Sequence, residues 1–302
     1  MSTNGNASTT IRHSSRITAL MPVKNYHTPY LEEALDSMFG QTSSEWLLRV
    51  IVEPEDTDRI ATVLKSALRD SRISLVVNQG QRLAGAFNSG MRAADTEFVA
   101  ILLADDRWEL NAVEVLQYSV AAHPEVDFFH SGLRIIDERG MFISPIRHPS
   151  RALNLELFIE GEAVKHLLCW RRSMALAVGG MDESINDVGP DDYDFPWTMF
   201  EQGARFHAVD ECLYDYRDHR DAYRGTTHLP RSTHLDRLRR ILEKHRVPGL
   251  VIKSRLRYAR HTFLRQCLFR NRLDRWLKER VLGIDPASGW REKYNRWDAG
   301  NV

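Results

Sequence analysis

The stretch EFVAILLADDRW, residues 97–108, decides how this chain folds. Its apolar run from Phe98 to Ala104 does not alternate with polar residues, and it ends in two adjacent carboxylates, Asp105 and Asp106. A strand that is apolar on both faces is buried on both faces, which predicts a parallel sheet covered by helices. Two like charges at the end of such a strand repel each other, and burial raises carboxylate pKa values unless a cation or hydrogen-bond donors compensate. The pair therefore reads either as an ordinary polar loop or as the place where something positive belongs.

Upstream, the same unit recurs. ITALMPV is followed by YLEEALDSMFG, where Leu31, Ala34, Leu35 and Met38 fall on one helical face and Gly40 is a stop signal. LLRVIVE is followed by DTDRIATVLKSALRD, with Asp56 or Thr57 as a candidate cap and Ile60, Val63, Leu64 and Ala67 facing inward. ISLVVNQ is followed by LAGAFNSGMRAA. Strands alternating with helices predict an α/β fold, and in such sheets ligands sit beyond the carboxyl ends of the strands. The segments expected on that rim are 22–25 (PVKN), 53–56 (EPED), 78–82 (NQGQR) and 104–108 (ADDRW).

Downstream the pattern is less regular. EVDFFHSGLRIIDERGMFIS predicts strands with a turn at Glu138-Arg139-Gly140, and CWRRSMALAVGGMDESI predicts a strand, a helix and a Gly-Gly stop. A helix is expected from about Asp192 to Gln202, followed by two short strands. After Leu229 the chain turns helical and basic, with a break at Val247-Pro248-Gly249. The expected organisation is a leader over 1–15, two halves of one α/β domain over 16–108 and 109–228, and a helical extension over 229–302.

The 302 residues can bury one large core. No apolar run approaches the roughly 18 to 20 residues of a membrane-spanning helix, and the polar leader lacks the apolar centre of a signal peptide, so a cytoplasmic protein is expected. Cys169, Cys212 and Cys267 are too scattered for a disulfide framework or zinc site. Zero net charge conceals an asymmetry: from residue 231 onward there are 19 Lys and Arg against 7 Asp and Glu, an excess of +12 balanced by −12 upstream. Three readings of that basic tail stand open: a helical cap packing Leu, Ile and Phe inward, a peripheral dock for anionic membrane or a lipid-linked acceptor, and a homo-oligomer interface.

Three constellations can carry chemistry. Paired carboxylates at 105 and 106 suit a hard cation such as Mg²⁺ or Mn²⁺, which takes oxygen ligands and is commonly shared with substrate phosphates. NDVGPDDYDFPW gathers Asp187, Asp191, Asp192 and Asp194 at a helix start; one carboxylate would serve as a cap, leaving others free to act as a general base. His219, in CLYDYRDHRDAYRG, could complete a metal sphere begun by carboxylates.

Taken in order, these segments resemble the family 2 glycosyltransferases of GT-A fold, over roughly residues 16 to 225. ALMPVKN is similar to their opening strand and nucleotide-contacting loop, and VIVEPEDTD stands where the family has a run such as VVDDGSTD. GQRLAGAFNSG is similar to the Gly-x-x-x-Ala-x-Ala-x-Asn-x-Gly helix start, LLADD to the metal-binding aspartate motif, and GGMDES with PDDYDF to the acceptor-side segments. The resemblance implies a mostly parallel, Rossmann-like sheet with a helical C-terminal extension, and an inverting, metal-dependent transfer of one sugar from a nucleotide-sugar, UDP-linked by expectation. It implies nucleotide-sugar contacts from Pro22, Val23, Lys24, Asn25, Glu53, Gln79, Arg82, Ala84, Asn88 and Asp105. Metal contacts would come from Asp106, Asp105 and His219, with Mn²⁺ or Mg²⁺ as cofactor. Asp192 stands at the place of the catalytic base with Asp191 beside it, and Trp170, Gly180, Trp197 and His166 fall on the acceptor side. Leu103 departs from the family's Asp-Ala-Asp-Asp run, and Lys24 from a position often aromatic or polar.

The acceptor implied is a hydroxyl of a glycan, glycolipid or small metabolite, and no nucleic-acid partner is expected. The polymer-forming members carry a Gln-x-x-Arg-Trp motif and membrane helices; RLDRW at 272–276 is a partial echo. Two rivals remain: a sugar-1-phosphate nucleotidyltransferase, whose Gly-rich first loop MPVKNYHTP lacks, and a non-catalytic nucleotide-sugar-binding protein of the same fold.

Overall fold

The computed structural model describes residues 16–24, 26–142, 146–185, 189–218, 230–267 and 280. Asn25, Asp187, His219 and the 1–15 leader lie outside the described residues.

One eight-stranded sheet, in the order β3-β2-β1-β4-β7-β6-β8-β5, runs through the molecule. Its first half is built from β1 (Ile17–Val23), β2 (Trp46–Val52), β3 (Ile73–Val77) and β4 (Phe98–Ile101), all parallel. The joining helices are α1 (Thr28–Phe39), α2 (Thr57–Val63) and α3 (Arg82–Ala93). Alternate residues of these strands feed two cores. Phe98, Ala100 and Leu102 pack with Leu31, Met38 and Ile60 on one face, while Val99 and Ile101 pack with Phe87 and Met91 on the other. This double burial is why the strands read as unbroken apolar runs.

The second half mixes directions. It comprises β5 (Arg107–Trp108), α4 (Ala112–Ala122), β6 (Phe128–Ile136), α5 (Leu155–Glu160), β7 (Leu168–Arg171), α6 (Arg172–Ala177), α7 (Phe195–Glu201) and β8 (Phe206–Arg217). β7 is antiparallel to both β4 and β6, whereas β8 runs parallel to β6 and antiparallel to β5. α8 (Arg231–Lys244) and α9 (Gly249–Cys267) form the helical C-terminal region, divided at the expected Val247-Pro248-Gly249 break.

Three local expectations are corrected. The segment after α7 is one twelve-residue strand rather than two, because register shifts against Gly132 absorb the irregularity instead of breaking it. Val63 is 41% exposed rather than inward, since α2 ends there. Neither Asp56 nor Thr57 caps α2 by the usual geometry: Asp56 is paired to Arg59 at 2.8 Å, and the Thr57 hydroxyl donates to the Pro54 carbonyl at 3.0 Å.

Candidate active site

The carboxyl ends of β1, β2, β3 and β4 converge as the parallel topology requires. Lys24 Nζ lies 3.5 Å from Glu53 Oε1, and Asn78 Nδ2 donates to the same oxygen at 3.3 Å. Residues following three different strands thus meet at one carboxylate. Pro22 is half-buried beside them, while the Val23 side chain points into the core and offers a ligand only its backbone.

The two aspartates of the opening stretch divide sharply. Asp106 is 1% exposed, with Oδ2 accepting from the Tyr214 hydroxyl and Oδ1 from the Arg217 amide, both at 2.7 Å. Burial, then the neighbouring Asp105, pushes its pKa well above the carboxylate range, opposed by those two donors. Asp105 instead stays half-exposed at the rim. The Asp106 carboxylate is therefore turned into the protein, and it does not face a cation in the solvent-side cleft as the motif alone implied. The Tyr214 oxygen also accepts from the Leu103 amide at 3.2 Å, so one hydroxyl ties both ends of the Leu103–Asp106 turn.

Arg217, fully buried, supplies the compensating cation. Its Nε donates to the Asp105 carbonyl at 2.7 Å, Nη1 to the Asp137 carbonyl at 3.1 Å and Nη2 to Glu33 at 2.6 Å, and its guanidinium covers the Tyr30 ring. No motif in the sequence points to Tyr214 or Arg217, which end a strand that mixes apolar and charged residues.

The helix start after β3 is clamped to the Gly-Gly segment. Asn88 Nδ2 donates to the Met181 carbonyl and Oδ1 accepts the Met181 amide, at 2.9 and 2.8 Å. Glu183 accepts from the Gln81 amide at 2.7 Å and from Asn88 at 3.1 Å. A Cβ on Gly180 would sit 2.4 Å from Asn88 Oδ1, and one on Gly85 would sit 2.4 Å from the Gly80 carbonyl carbon, so both positions require glycine. Asn88 and Ala84 are buried in this clamp, with the Asn88 amide engaged by Met181 and Glu183, whereas Gln79 and Arg82 are exposed beside it. Arg82 adopts φ 54°, a strained conformation for a non-glycine residue.

On the acceptor side, a π-type turn, Pro190–Asp194, precedes α7 and gives its three aspartates three environments. The Asp192 side chain is 49% exposed, and Asp191 is buried. Burial, then repulsion from Asp192, raises the Asp191 pKa to about 8. Asp194 is 1% exposed and accepts from Lys244 Nζ at 2.7 Å and faces His245 Nε2 at 3.1 Å. It anchors the C-terminal helices and is not available as a base. His166 Nε2 lies 3.8 Å from Asp191 and 3.9 Å from Asp192, and its ring stacks on Tyr214 at 5.1 Å between centroids. Burial holds the His166 pKa below its ordinary value, so the ring is neutral at pH 7.

Two acceptor-side expectations fail. Trp170 and Trp197 are completely buried: Trp170 Nε1 approaches Met91 Sδ at 3.3 Å, and Trp197 stacks on His245 with centroids 4.1 Å apart. Gly180 belongs to the Asn88 clamp.

The glycosyl transferase family 2 model matches residues 18–172, which spans every rim element just described. The chain belongs to glycosyl transferase family 2. Among relatives of this family 2 chain, the Escherichia coli UDP-Glc:alpha-D-GlcNAc-diphosphoundecaprenol beta-1,3-glucosyltransferase WfgD is 30% identical over 134 residues, covering 43% of this chain and 51% of its own. The alignments to these curated relatives span from 21% to 73% of the relatives' lengths. The fold is similar to S. aureus TarS with UDP-GlcNAc (TM-score 0.59, 14% identity, 80% of this chain and 69% of that one). It is also similar to the Pyrobaculum calidifontis mannosyltransferase PcManGT with GDP-Man and Mn2+ (TM-score 0.52, 20% identity, 82% and 69%). These likenesses establish the GT-A fold.

Whether this family member's residues fit a divalent cation turns on Asp105. Among the described residues no cluster of three His, Cys, Asp or Glu side chains is assembled to hold a metal. Leu103 and the inward-turned Asp106 leave Asp105 as the acid of that turn at the rim. One or two carboxylates completed by substrate phosphates suffice for Mg²⁺-type binding, so the donor set fits a cation that arrives with a diphosphate.

Proposed function

We propose that this chain transfers one glycosyl unit, with inversion, from a nucleotide-sugar to a hydroxyl of a glycan, glycolipid or small-molecule acceptor. The observation that carries the reading is the continuous path from the donor rim to the acceptor-side turn. Asp106 is hydrogen-bonded to Tyr214, Tyr214 stacks on His166, and His166 lies between Tyr214 and the Asp191-Asp192 pair.

In this reading Lys24, Glu53, Gln79 and Arg82 receive the nucleotide, with UDP the preferred carrier. Asp105 would hold Mn²⁺ or Mg²⁺, and the cation, when bound, would offset the negative charge of the leaving nucleoside diphosphate. Asp192, half-exposed and beside a neutral His166, takes the proton of the acceptor hydroxyl. The hydroxyl oxygen forms its bond to the anomeric carbon as the bond to the diphosphate oxygen breaks, so the configuration inverts. Asp191 keeps its own proton to about pH 8 because of its burial, and it positions Asp192 rather than competing for the substrate's proton. A cytoplasmic setting is part of the reading, supported by the free thiols of Cys169 and Cys212.

A thermal-shift screen of UDP, GDP and their sugar conjugates with and without Mn²⁺ tests the donor side. Stabilisation by UDP-linked ligands that requires the cation is expected. Proton NMR of the anomeric centre in the first product tests inversion, and retained configuration would refute the mechanism.

A further inference from the structure

The outward face of α9 is not an ordinary solvated helix face. Over Gly249–Cys267 the sequence carries five Lys or Arg residues and no Asp or Glu. Ile252 and Ala259 are buried against the protein, whereas Leu250 is 81% exposed and Tyr258 60% exposed. Lys253, Arg257 and Arg260 are exposed alongside them, and none forms an ion pair with a described residue. Residues 250, 253, 254, 257, 258 and 261 follow helical spacing, so apolar, aromatic and cationic groups share one stripe.

The opposite side of α9 is tied to the acceptor half. Arg255 Nε donates to the Ile159 carbonyl at 2.9 Å and Nη2 to the Glu160 carbonyl at 2.7 Å, placing a cation on the C-terminus of α5. The Tyr193 hydroxyl donates to the same Ile159 carbonyl at 3.2 Å. α9 is thus one shared carbonyl away from the residue that follows Asp192.

We propose that the outward stripe of α9 docks this protein on an anionic lipid bilayer. Cations with no acidic partner among the described residues match anionic headgroups, and Leu250 and Tyr258 supply the apolar and interfacial contacts that a polyanion such as nucleic acid would not reward. No helix among the described residues is long and apolar enough to cross a membrane, so the contact is peripheral. The consequence for substrate rests on the acceptor-side reading above: a site fixed to a bilayer-facing helix suits an acceptor itself anchored in the bilayer.

The test is vesicle co-sedimentation of the full chain without any sugar donor, so its outcome is independent of transferase activity. Phosphatidylcholine vesicles are compared with vesicles containing phosphatidylglycerol, at low and high salt. The expected result is binding to the anionic vesicles alone, weakened by salt. The combined variant Leu250→Ser, Lys253→Glu, Arg257→Glu, Arg260→Glu, all at exposed positions, should need about tenfold or more lipid for half-binding. Its circular dichroism should be unchanged. No binding of the wild-type chain, equal binding to neutral vesicles, or equal binding of the variant overturns the proposal. So does a dimer in sedimentation velocity that the variant dissociates while vesicle binding is absent.

Discussion

The Tyr214 hydroxyl lies 2.7 Å from Asp106 Oδ2, at a point where neither group has access to water. Removing the donor leaves a buried carboxylate oxygen unsatisfied. Tyr214→Phe should cost about 1–3 kcal/mol of stability, read as a lower urea midpoint with an unchanged slope. A midpoint equal to wild type would mean that the hydroxyl does not fix the turn.

The neighbouring aspartates should separate experimentally. Asp105→Asn is expected to keep the melting temperature of the free protein and lose the Mn²⁺-dependent stabilisation by nucleoside diphosphate. Asp106→Asn is expected to lower the melting temperature before any ligand is added, because its oxygens accept from Tyr214 and Arg217. The opposite pattern in a thermal-shift titration would return the metal role to Asp106.

Asp192→Asn should reduce kcat by on the order of 10² to 10⁴ while leaving donor binding intact. Isothermal titration with the nucleoside diphosphate provides the control for binding. Full turnover in this variant would remove Asp192 as the base.

Burial moves the Asp191 pKa from 3.8 to about 8. Between those values the folded state retains a proton that the unfolded chain has released, so stability falls as pH rises through that window. In Asp191→Asn the contribution vanishes. The melting temperature of the variant should therefore gain on wild type steadily from about pH 4 to pH 8. Parallel profiles would show that the carboxyl is not held neutral.

Asp194→Asn should disturb the whole C-terminal contact, since the carboxylate joins Lys244 and His245. Breaking a buried pair from one side costs roughly 3–5 kcal/mol, and proteolysis near α8 should accelerate. Unchanged protease resistance would assign that anchoring to apolar packing alone.

The first half of the fold was legible because periodicity and topology carry the same information there. Strands buried on both faces are unbroken apolar runs, and the helices between them show one apolar stripe, as in Leu31, Ala34 and Met38. β8 was misread as two strands because its bulge against Gly132 looks locally like a break. Motif spacing located the Asp105-Asp106 and Asp191-Asp192 turns, but it could not say which carboxylate of each pair faces water. That depends on Tyr214, Arg217 and His166, whose contacts with these two turns reach across 25 to 112 positions of the chain. Trp170 and Trp197 failed for the same reason: proximity in sequence to a motif does not distinguish the cleft wall from the core behind it.

The contact of His245 with Trp197 and Asp194 sets a lower bound on any fragment that keeps the acidic turn in shape. The family match ends at residue 172, yet Lys244 at the end of α8 supplies a cation for Asp194 and His245 just beyond it a ring to cover Trp197. An expression boundary drawn where the recognisable motifs stop would strip the turn's outer wall and leave an ionisable group facing an open hole. Swapping C-terminal regions between relatives would then alter the acceptor side even when every motif residue is preserved.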